Sequence, residues 1–400
     1  MADAPSPDPV VDDLPERAEV LVVGAGPAGV TAALALARAG IDPLVIDRRP
    51  GPGGQTRAVW IQPGSLEIWH HLGVADAIVA QAQEIRGIAV HGRRRDMAWL
   101  PLDEPDLSVH RPVLLDQPST EAALLAGLDR AGIRVRWGWR FAELRRPLRA
   151  GAHAATVEAG PRRRVVRCRE VVAADGSHSA VRAALGLRMT GHTYPRVLYV
   201  ADLTADLAVE RDRAHVLLAG DGAHALLPLP RDRWRLAGTA PACDEDDLRS
   251  QATTAVRRLG GDLRSLDAAS THQAHRRILD SFRHPGISLV GDAAHLHSPV
   301  GGQGMNLAVA DGHAIGGAVA DALRGTDRRA VEEAAARRRR AAVRALRTTD
   351  VMFRVQTAPG RAAALVRPLA FRGLSAVTAR SRTARRVLFR SVSQVPRPGR

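Results

Sequence analysis

The sequence predicts an α/β fold with an inserted antiparallel sheet and helices closing the chain. Three observations carry this. The continuous β-branched run Val20-Leu21-Val22-Val23 leads into a glycine-rich turn and an Ala/Leu helix, the order of a parallel βαβ unit. From about residue 190 the pattern changes to short alternating runs separated by turn residues, as antiparallel strands require. After about residue 284 an apolar strand and helical patterns return. At 400 residues the chain exceeds what one hydrophobic core usually fills, which agrees with two packed units.

Residues 1–16, rich in Pro and Asp, are expected to be flexible. Residues 17–189 form the first part of the α/β unit, with 75–112 open to either unit. Its first helix runs to Ala39 and stops at Gly40, and Leu44-Val45-Ile46-Asp47 is the second strand. Pro118 to Ala131 reads as another helix, ended by Gly132. Residues 190–283 are the inserted sheet. There Val216-Leu217-Leu218, Asp221-Gly222 and Ala225-Leu226-Leu227 form a hairpin signature, because Asp-Gly tolerates the positive φ of a tight turn, and Trp234 to Thr239 continues the meander. Residues 284–330 return to the α/β unit through Ile287–Val290, and 331–400 are arginine-rich helices.

Composition excludes several chemistries. Hydrophobic content of 45% and charged content of 25% rule out wholesale disorder. No apolar run approaches the roughly 18 residues that cross a bilayer, and the N-terminus has neither the basic nor the apolar region of a secretion signal. A cytoplasmic chain without integral membrane contact is expected. Cys168 and Cys243 lack CxxC spacing, so neither a disulfide framework nor a cysteine zinc site is expected. All 57 basic residues are arginine. That removes a Walker A loop, a pyridoxal Schiff base and a lysine nucleophile, and neither GxSxG nor HExxH occurs.

The net charge of +15 is local: residues 337–400 hold 17 arginines against one acid, Asp350, leaving 40 against 41 elsewhere. A patch for nucleic acid or an anionic membrane is one reading. The favoured one is a pair of surface helices with Leu365, Val366, Leu369, Leu374 and Val377 turned inward. Aromatic residues for base stacking are few there, so no nucleic-acid partner is expected.

Two constellations carry the chemistry. In the first, Gly24 permits the turn out of the strand and Gly26 lets a pyrophosphate approach the backbone. Gly29 lets the helix pack on the sheet, and the helix start holds the negative charge. Asp47 stands 18 residues after Gly29, where an acid accepts from a ribose 2′-OH. It disfavours a 2′-phosphate, leaving FAD or NAD. The second constellation is Gly291-Asp-Ala-Ala-His-Leu-His-Ser-Pro-Val-Gly-Gly-Gln-Gly-Met-Asn306. A strand ending in Gly-Asp aims Asp292 at a polyol hydroxyl. The turn at 301–304 opens a helix whose unpaired amides favour an anion.

With these two motifs the chain resembles the group A flavoprotein monooxygenases, the para-hydroxybenzoate hydroxylase-like family, over residues 18 to about 345. The resemblance implies a Rossmann-like FAD-binding domain with an inserted substrate sheet. It places Asp292 at the flavin ribityl chain and the helix start of Gly302, Gly304, Met305 and Asn306 at the N1–C2 carbonyl edge of the isoalloxazine. Ala173-Ala174-Asp175-Gly176-Ser-His-Ser179, with Val181-Arg182, is similar to the family's Asp-Gly motif near FAD. Arg57-Ala58, before Gln62-Pro63 and Leu66-Glu67-Ile68, is similar to the segment whose arginine approaches the pyrophosphate. Gln117 corresponds to a glutamine touching the ribityl-phosphate portion. Pro27, Ala28, Arg48 and Pro299 complete the implied cofactor contacts.

The implied activity is an NADH- or NADPH-dependent monooxygenase. It would use O2 through a C4a-hydroperoxyflavin to hydroxylate or epoxidise an aromatic or polyketide-like molecule in secondary metabolism, with no obligatory protein nucleophile. Trp60, where the family often has a small residue, either reshapes the pocket or fills the core. His224, Leu226 and Pro228 share one face of a hairpin strand and are candidates to line the pocket. His224 is either a base for a phenol or a strand-end surface histidine. The spacing of His295 and His297 resembles a metal site, but both lie inside the flavin motif, so no metal is expected. Ser177, His178 and Ser179 read as a helix cap. Flavin halogenases need a lysine, so they are excluded. A geranylgeranyl-reductase-type enzyme and a non-enzymatic binding protein using the arginine-rich tail are the alternatives.

Overall fold

The computed structural model describes residues 13–53, 58–92, 96–102, 111–145, 152–219, 222–240, 243–298, 301–325, 329–358 and 361–386. The principal strands, numbered in chain order, are β1 (Arg17–Val23), β2 (Leu44–Asp47), β3 (Gly87–His91), β4 (Asp96–Pro101), β5 (Val135–Trp137), β6 (Arg162–Ala173), β7 (Thr190–Asp206), β8 (Arg213–Ala219), β9 (Gly222–Pro228), β10 (Arg233–Ala240), β11 (Asp262–Ile278) and β12 (Ile287–Leu289). The principal helices are α1 (Pro27–Arg38), α2 (Gln117–Arg130), α3 (Glu245–Arg258), α4 (Gln303–Leu323), α5 (Ala330–Thr357) and α6 (Arg361–Arg380).

The first sheet runs β12-β6-β1-β2-β5 with parallel pairing throughout this path. β1 and β2 are apolar without alternation because both faces of this parallel sheet are covered: Val20 to Val22, Val45 and Ile46 are fully buried. Gly40, at φ +76°, ends the first helical segment where a left-handed residue is needed.

The second sheet runs β11-β7-β10-β9-β8-β3-β4. Its pairing is antiparallel except for β8 on β3. β3 and β4 therefore join the inserted sheet from within residues 75–112. β8 and β9 pair with Ala219 opposite Gly222; Asp221 of the expected turn lies outside the described residues. One face is covered by α3, with Tyr199, Leu217, Leu226, Trp234 and Leu236 packed against Leu248, Ala252 and Val256. The other face packs on Val59, Trp60, Ile85 and Leu114. Arg233 of β10 reaches across to Asp116, the N-cap of α2, at 2.6 Å.

α5 packs on α4 through Val331, Ala334, Ala335 and Ala342. α6 covers the free edge of the second sheet. Ser375 Oγ donates to the Trp99 carbonyl of β4 at 2.9 Å and accepts from its N–H at 3.2 Å, beside Phe371 and Leu374 packed on Val90 and Leu100. The expected inward turn of the C-terminal apolar residues is corrected here. Leu374 is half-buried, whereas Val366 is 60% exposed, Leu369 64% and Val377 55%. The side chain of Leu365 lies outside the described residues. A helix docked on a sheet edge buries one stripe, and these three residues occupy the opposite one. Among the described residues no helix is long and apolar enough to cross a membrane.

Candidate functional site

The first site element is the turn between β1 and α1. Gly24 has φ +105°, and a Cβ there would lie 2.3 Å from the Ala174 carbonyl oxygen, so only glycine fits this turn. A Cβ on Gly29 would lie 1.8 Å from the Gly24 oxygen. Gly26 is different: a Cβ there meets nothing within 4 Å, and no side chain caps the helix it precedes. The α1 amides thus open onto unfilled space. Pro27 is half-buried, and Ala28 and Gly29 are buried in the packing behind this surface.

That space is a cavity of about 610 Å³ lined by Gly24, Gly26, Asp47, Arg48, Gln117 and Asp175, among others. Arg48 is exposed at its rim. Asp175 Oδ2 accepts from the Ala180 and Val181 amides at 2.7 and 3.2 Å, whereas its buried Oδ1 has no partner among the described residues. A buried carboxylate oxygen lacking a donor calls for one from a bound group.

Asp47 is already engaged. It accepts from the Ala25 N–H at 2.7 Å and the Arg49 N–H at 2.8 Å, and from the Arg49 guanidinium at 3.2 Å on each oxygen. Arg49 continues to Glu121 at 2.9 Å, Glu121 accepts from Gln117 Nε2 at 2.8 Å, and Gln117 Oε1 accepts from the Ala58 amide. Burial opposes the charge on Arg49, but Asp47 and Glu121 together raise its pKa. Arg49 and Glu121, with Trp139 and Phe141 on the cavity wall, escaped the sequence reading. Glu121 was accessible in principle, since it lies one helical turn from Gln117 on the same face of α2. Arg57 lies outside the described residues, as does Pro299.

The second site element follows β12. Gly291 has φ +57°, and Asp292 projects from the turn as an exposed carboxylate. Arg182 joins this turn to the Asp175 segment, donating to the carbonyls of Ala293 at 3.1 Å and Ser177 at 2.6 Å. Behind it, Asp311 is fully buried. Its Oδ2 accepts from His295 Nε2 at 2.7 Å and the Gly291 amide at 3.2 Å, and its Oδ1 from Arg338 of α5 at 2.7 Å. Burial works against the Asp311 anion, yet Arg338 and His295 hold its carboxyl below the usual range. His297 Nδ1–H donates to the Ser298 carbonyl at 2.7 Å, and burial lowers the ring's pKa. Among the described residues no metal-binding group of three ligands occurs.

The α4 start is held as firmly. Gly302 has φ +63°, and a Cβ on it would lie 2.7 Å from Trp60 Cβ. Met305 is buried. The Asn306 amide uses its whole hydrogen-bonding capacity inside the protein: Nδ2 donates to the Trp60 and Gly302 carbonyls, and Oδ1 accepts from the Gln62 amide and Ser65 Oγ. Asn306 therefore shapes the helix start, and any contact it makes with a ligand is through its backbone. Gly304 stands beside the His297 ring, 3.6 Å from where a Cβ would be.

Two small-residue contacts bring the site elements together. A Cβ on Gly312 would lie 2.2 Å from the Ala28 oxygen and one on Gly316 2.7 Å from the Ala32 oxygen, so α4 lies directly on α1.

On the second sheet, Leu226 lies on the face that α3 covers, and His224 and Pro228 share its strand parity. His224 is hydrogen-bonded to Tyr199, and Gly238 leaves room for the pair. The alternate residue Leu227 lies on the opposite face, where it packs with Trp60, Val59, Ile85, Leu114 and Leu229. A shift of one residue exchanges the faces of a strand, so the inward-looking set is Ala225, Leu227 and Leu229. On this same face Arg235, 1% exposed, forms a two-pronged pair with Asp202 at 2.6 and 2.7 Å. Trp60 is half-buried, and its Nε1 has no acceptor among the described residues.

Residues 17–350 match the protein family described as FAD binding domain. The chain is 34% identical over 316 residues to the 6-methylpretetramide 4-monooxygenase of Streptomyces rimosus, covering 77% of this chain and 56% of that protein. It spans just over half the length of the first curated relatives it matches. The fold superposes on p-nitrophenol 4-monooxygenase from Pseudomonas putida with a TM-score of 0.84 at 21% identity, covering 94% of this chain and 99% of that one. It superposes on an anhydrotetracycline hydroxylase from Streptomyces rimosus with a TM-score of 0.74 at 25% identity, covering 94% and 76%.

Proposed function

Because the chain belongs to the FAD binding domain family, we propose that it is an FAD-dependent monooxygenase that uses NAD(P)H and O2 to hydroxylate or epoxidise an aromatic or polyketide-like small molecule. The observation that carries this reading is the cavity over the α1 start. It joins an open glycine turn, Gln117, Arg48 and the unpartnered Asp175 Oδ1 in one space.

The residues present fit FAD. Gly26 and the uncapped α1 amides receive a pyrophosphate, with Arg48 nearby as a counter-charge. Asp175 Oδ1 and the exposed Asp292 carboxylate accept hydroxyl donors. A ribose hydroxyl at Asp47 has to share that carboxylate with Arg49 or displace its guanidinium. Bound FAD would supply the hydride acceptor for NAD(P)H and the centre that activates O2.

The chain's own work is to position and to exclude water. The α4 start, fixed by Asn306 and Gly302, presents the positive end of a 21-residue helix, which favours an anion placed there. Leu227, Leu229, Val59, Ile85 and Trp60 form an apolar cluster on the inserted sheet, suited to keeping water from a substrate held beside it. Trp60 Nε1 is a buried donor available to a substrate oxygen. Aromatic substrates agree with the names of the relatives, 6-methylpretetramide 4-monooxygenase among them.

The test is direct. Purified protein should show flavin absorption and consume O2 with NAD(P)H faster when an aromatic polyketide is added, and the product should gain one oxygen atom. A folded, colourless protein that takes up no FAD would overturn the reading. Substrate reduction by NAD(P)H without O2 would replace it with a reductase.

A further inference from the structure

The C-terminal helices leave a surface that the cofactor site does not use. Five of the seven large apolar side chains exposed among the described residues fall between 351 and 377, so the exposure is a patch rather than scatter. On α6 the outward line is Val366, Leu369, Ala370, Gly373, Ala376 and Val377, all exposed and spaced at three and four residues. On α5, Arg340, Arg344 and Arg347 recur at the same spacing and continue into Val351 and Arg354. All five are exposed, and Arg340, Arg344 and Arg347 have no acidic partner among the described residues. Their neighbours Arg337 and Arg354 meet Glu333 and Asp350. From 351 to 400 the chain carries 11 arginines and no acid.

We propose that the outer faces of α5 and α6 form a peripheral docking surface for an anionic phospholipid bilayer. Such a surface rewards both halves of the pattern at once, since apolar side chains sink to the acyl boundary while arginines meet phosphate headgroups. A second copy of the chain would set one arginine row against another without an acid to offset it. Nucleic acid would use the arginines but leave the valines in water, and among the described residues the aromatic rings of this region face inward: Phe353 is buried and Phe371 packs on β3 and β4. Because the helix is docked through Ser375, Phe371 and Leu374, no described residue covers the outward stripe, and its exposure needs no rearrangement of the fold.

Co-sedimentation of the full chain with vesicles tests this, using phosphatidylcholine alone against equimolar phosphatidylcholine and phosphatidylglycerol. Binding to the anionic vesicles should be at least about tenfold stronger and should fall steeply as salt rises. The triple variants Val366→Gln/Leu369→Gln/Val377→Gln and Arg340→Gln/Arg344→Gln/Arg347→Gln should each weaken binding by about tenfold with unchanged circular dichroism and flavin content. Equal binding to both vesicle types, no binding, or indifference to both variants overturns the proposal. So does tight duplex DNA binding that ignores the apolar triple variant. A doubled mass in light scattering that this variant restores to monomer also overturns it, in favour of self-association.

Discussion

The two glycine-and-aspartate turns look alike in sequence and are built differently. The early turn is bare: Gly26 faces empty space, its helix start is uncapped, and Asp175 beside it keeps one carboxylate oxygen unpaired. The late turn is braced from behind by Asp311, His295 and Arg338, and its helix start is fastened by an Asn306 amide with nothing left to offer. The early turn leaves its amides and a carboxylate oxygen open, whereas the late one is braced by charges buried behind it. Substitutions should therefore separate the two, with stability failing at the late turn and ligand retention at the early one.

The largest effect is expected at Asp311. Asp311→Ala strands the buried Arg338 charge and should lower unfolding free energy by about 3–5 kcal/mol in a denaturant titration. A loss under about 1 kcal/mol would erase the contrast between the turns. The same residue sets an acid limit. Its carboxyl is held below the usual range, so its contribution is complete above the unfolded pKa of about 3.9 and disappears as pH falls through the lower native value. The stability gap between the wild type and Asp311→Asn should close along that acid limb.

Asn306→Ala removes the acceptor of the Gln62 amide and a donor to the Trp60 carbonyl and should destabilise by about 1–3 kcal/mol. Smallest in stability, and most informative, is Gly26→Ala. With extended backbone at φ −77° and nothing near its Cβ, it should change unfolding free energy by less than about 0.5 kcal/mol. If the pyrophosphate approaches Gly26 as proposed, the added methyl stands in its way, and FAD retention on gel filtration should nevertheless fall. Unchanged flavin content in this variant would remove the early turn from the binding site.

How much of this was legible in the sequence follows from how local each signal is. The strand-turn-helix order at Gly24–Gly29 and the Gly-Asp turn at 291–292 depend on residues a few positions apart, so they could be read directly. The face of β9 could not: period two says that His224, Leu226 and Pro228 travel together, but not that α3 lies on their side. Choosing between Arg48 and Arg49 needed the position of Glu121, 72 residues from Arg49. Asp311 belongs to a recognisable motif, yet its partner Arg338 is one of four consecutive arginines, and only packing selects which turns inward. The stripe that α6 buries depends in the same way on the edge strand it meets.

The glycine contacts between α1 and α4 act as a gauge. Ala28 and Ala32 meet Gly312 and Gly316 backbone to backbone, so the distance between the early and late turns is set by main-chain thickness alone. Any bulk added in that seam would lengthen the span a single extended ligand must bridge, and would do so from a place no ligand touches. Grip on such a molecule is thus adjustable from outside its own pocket, by the width of one methyl group.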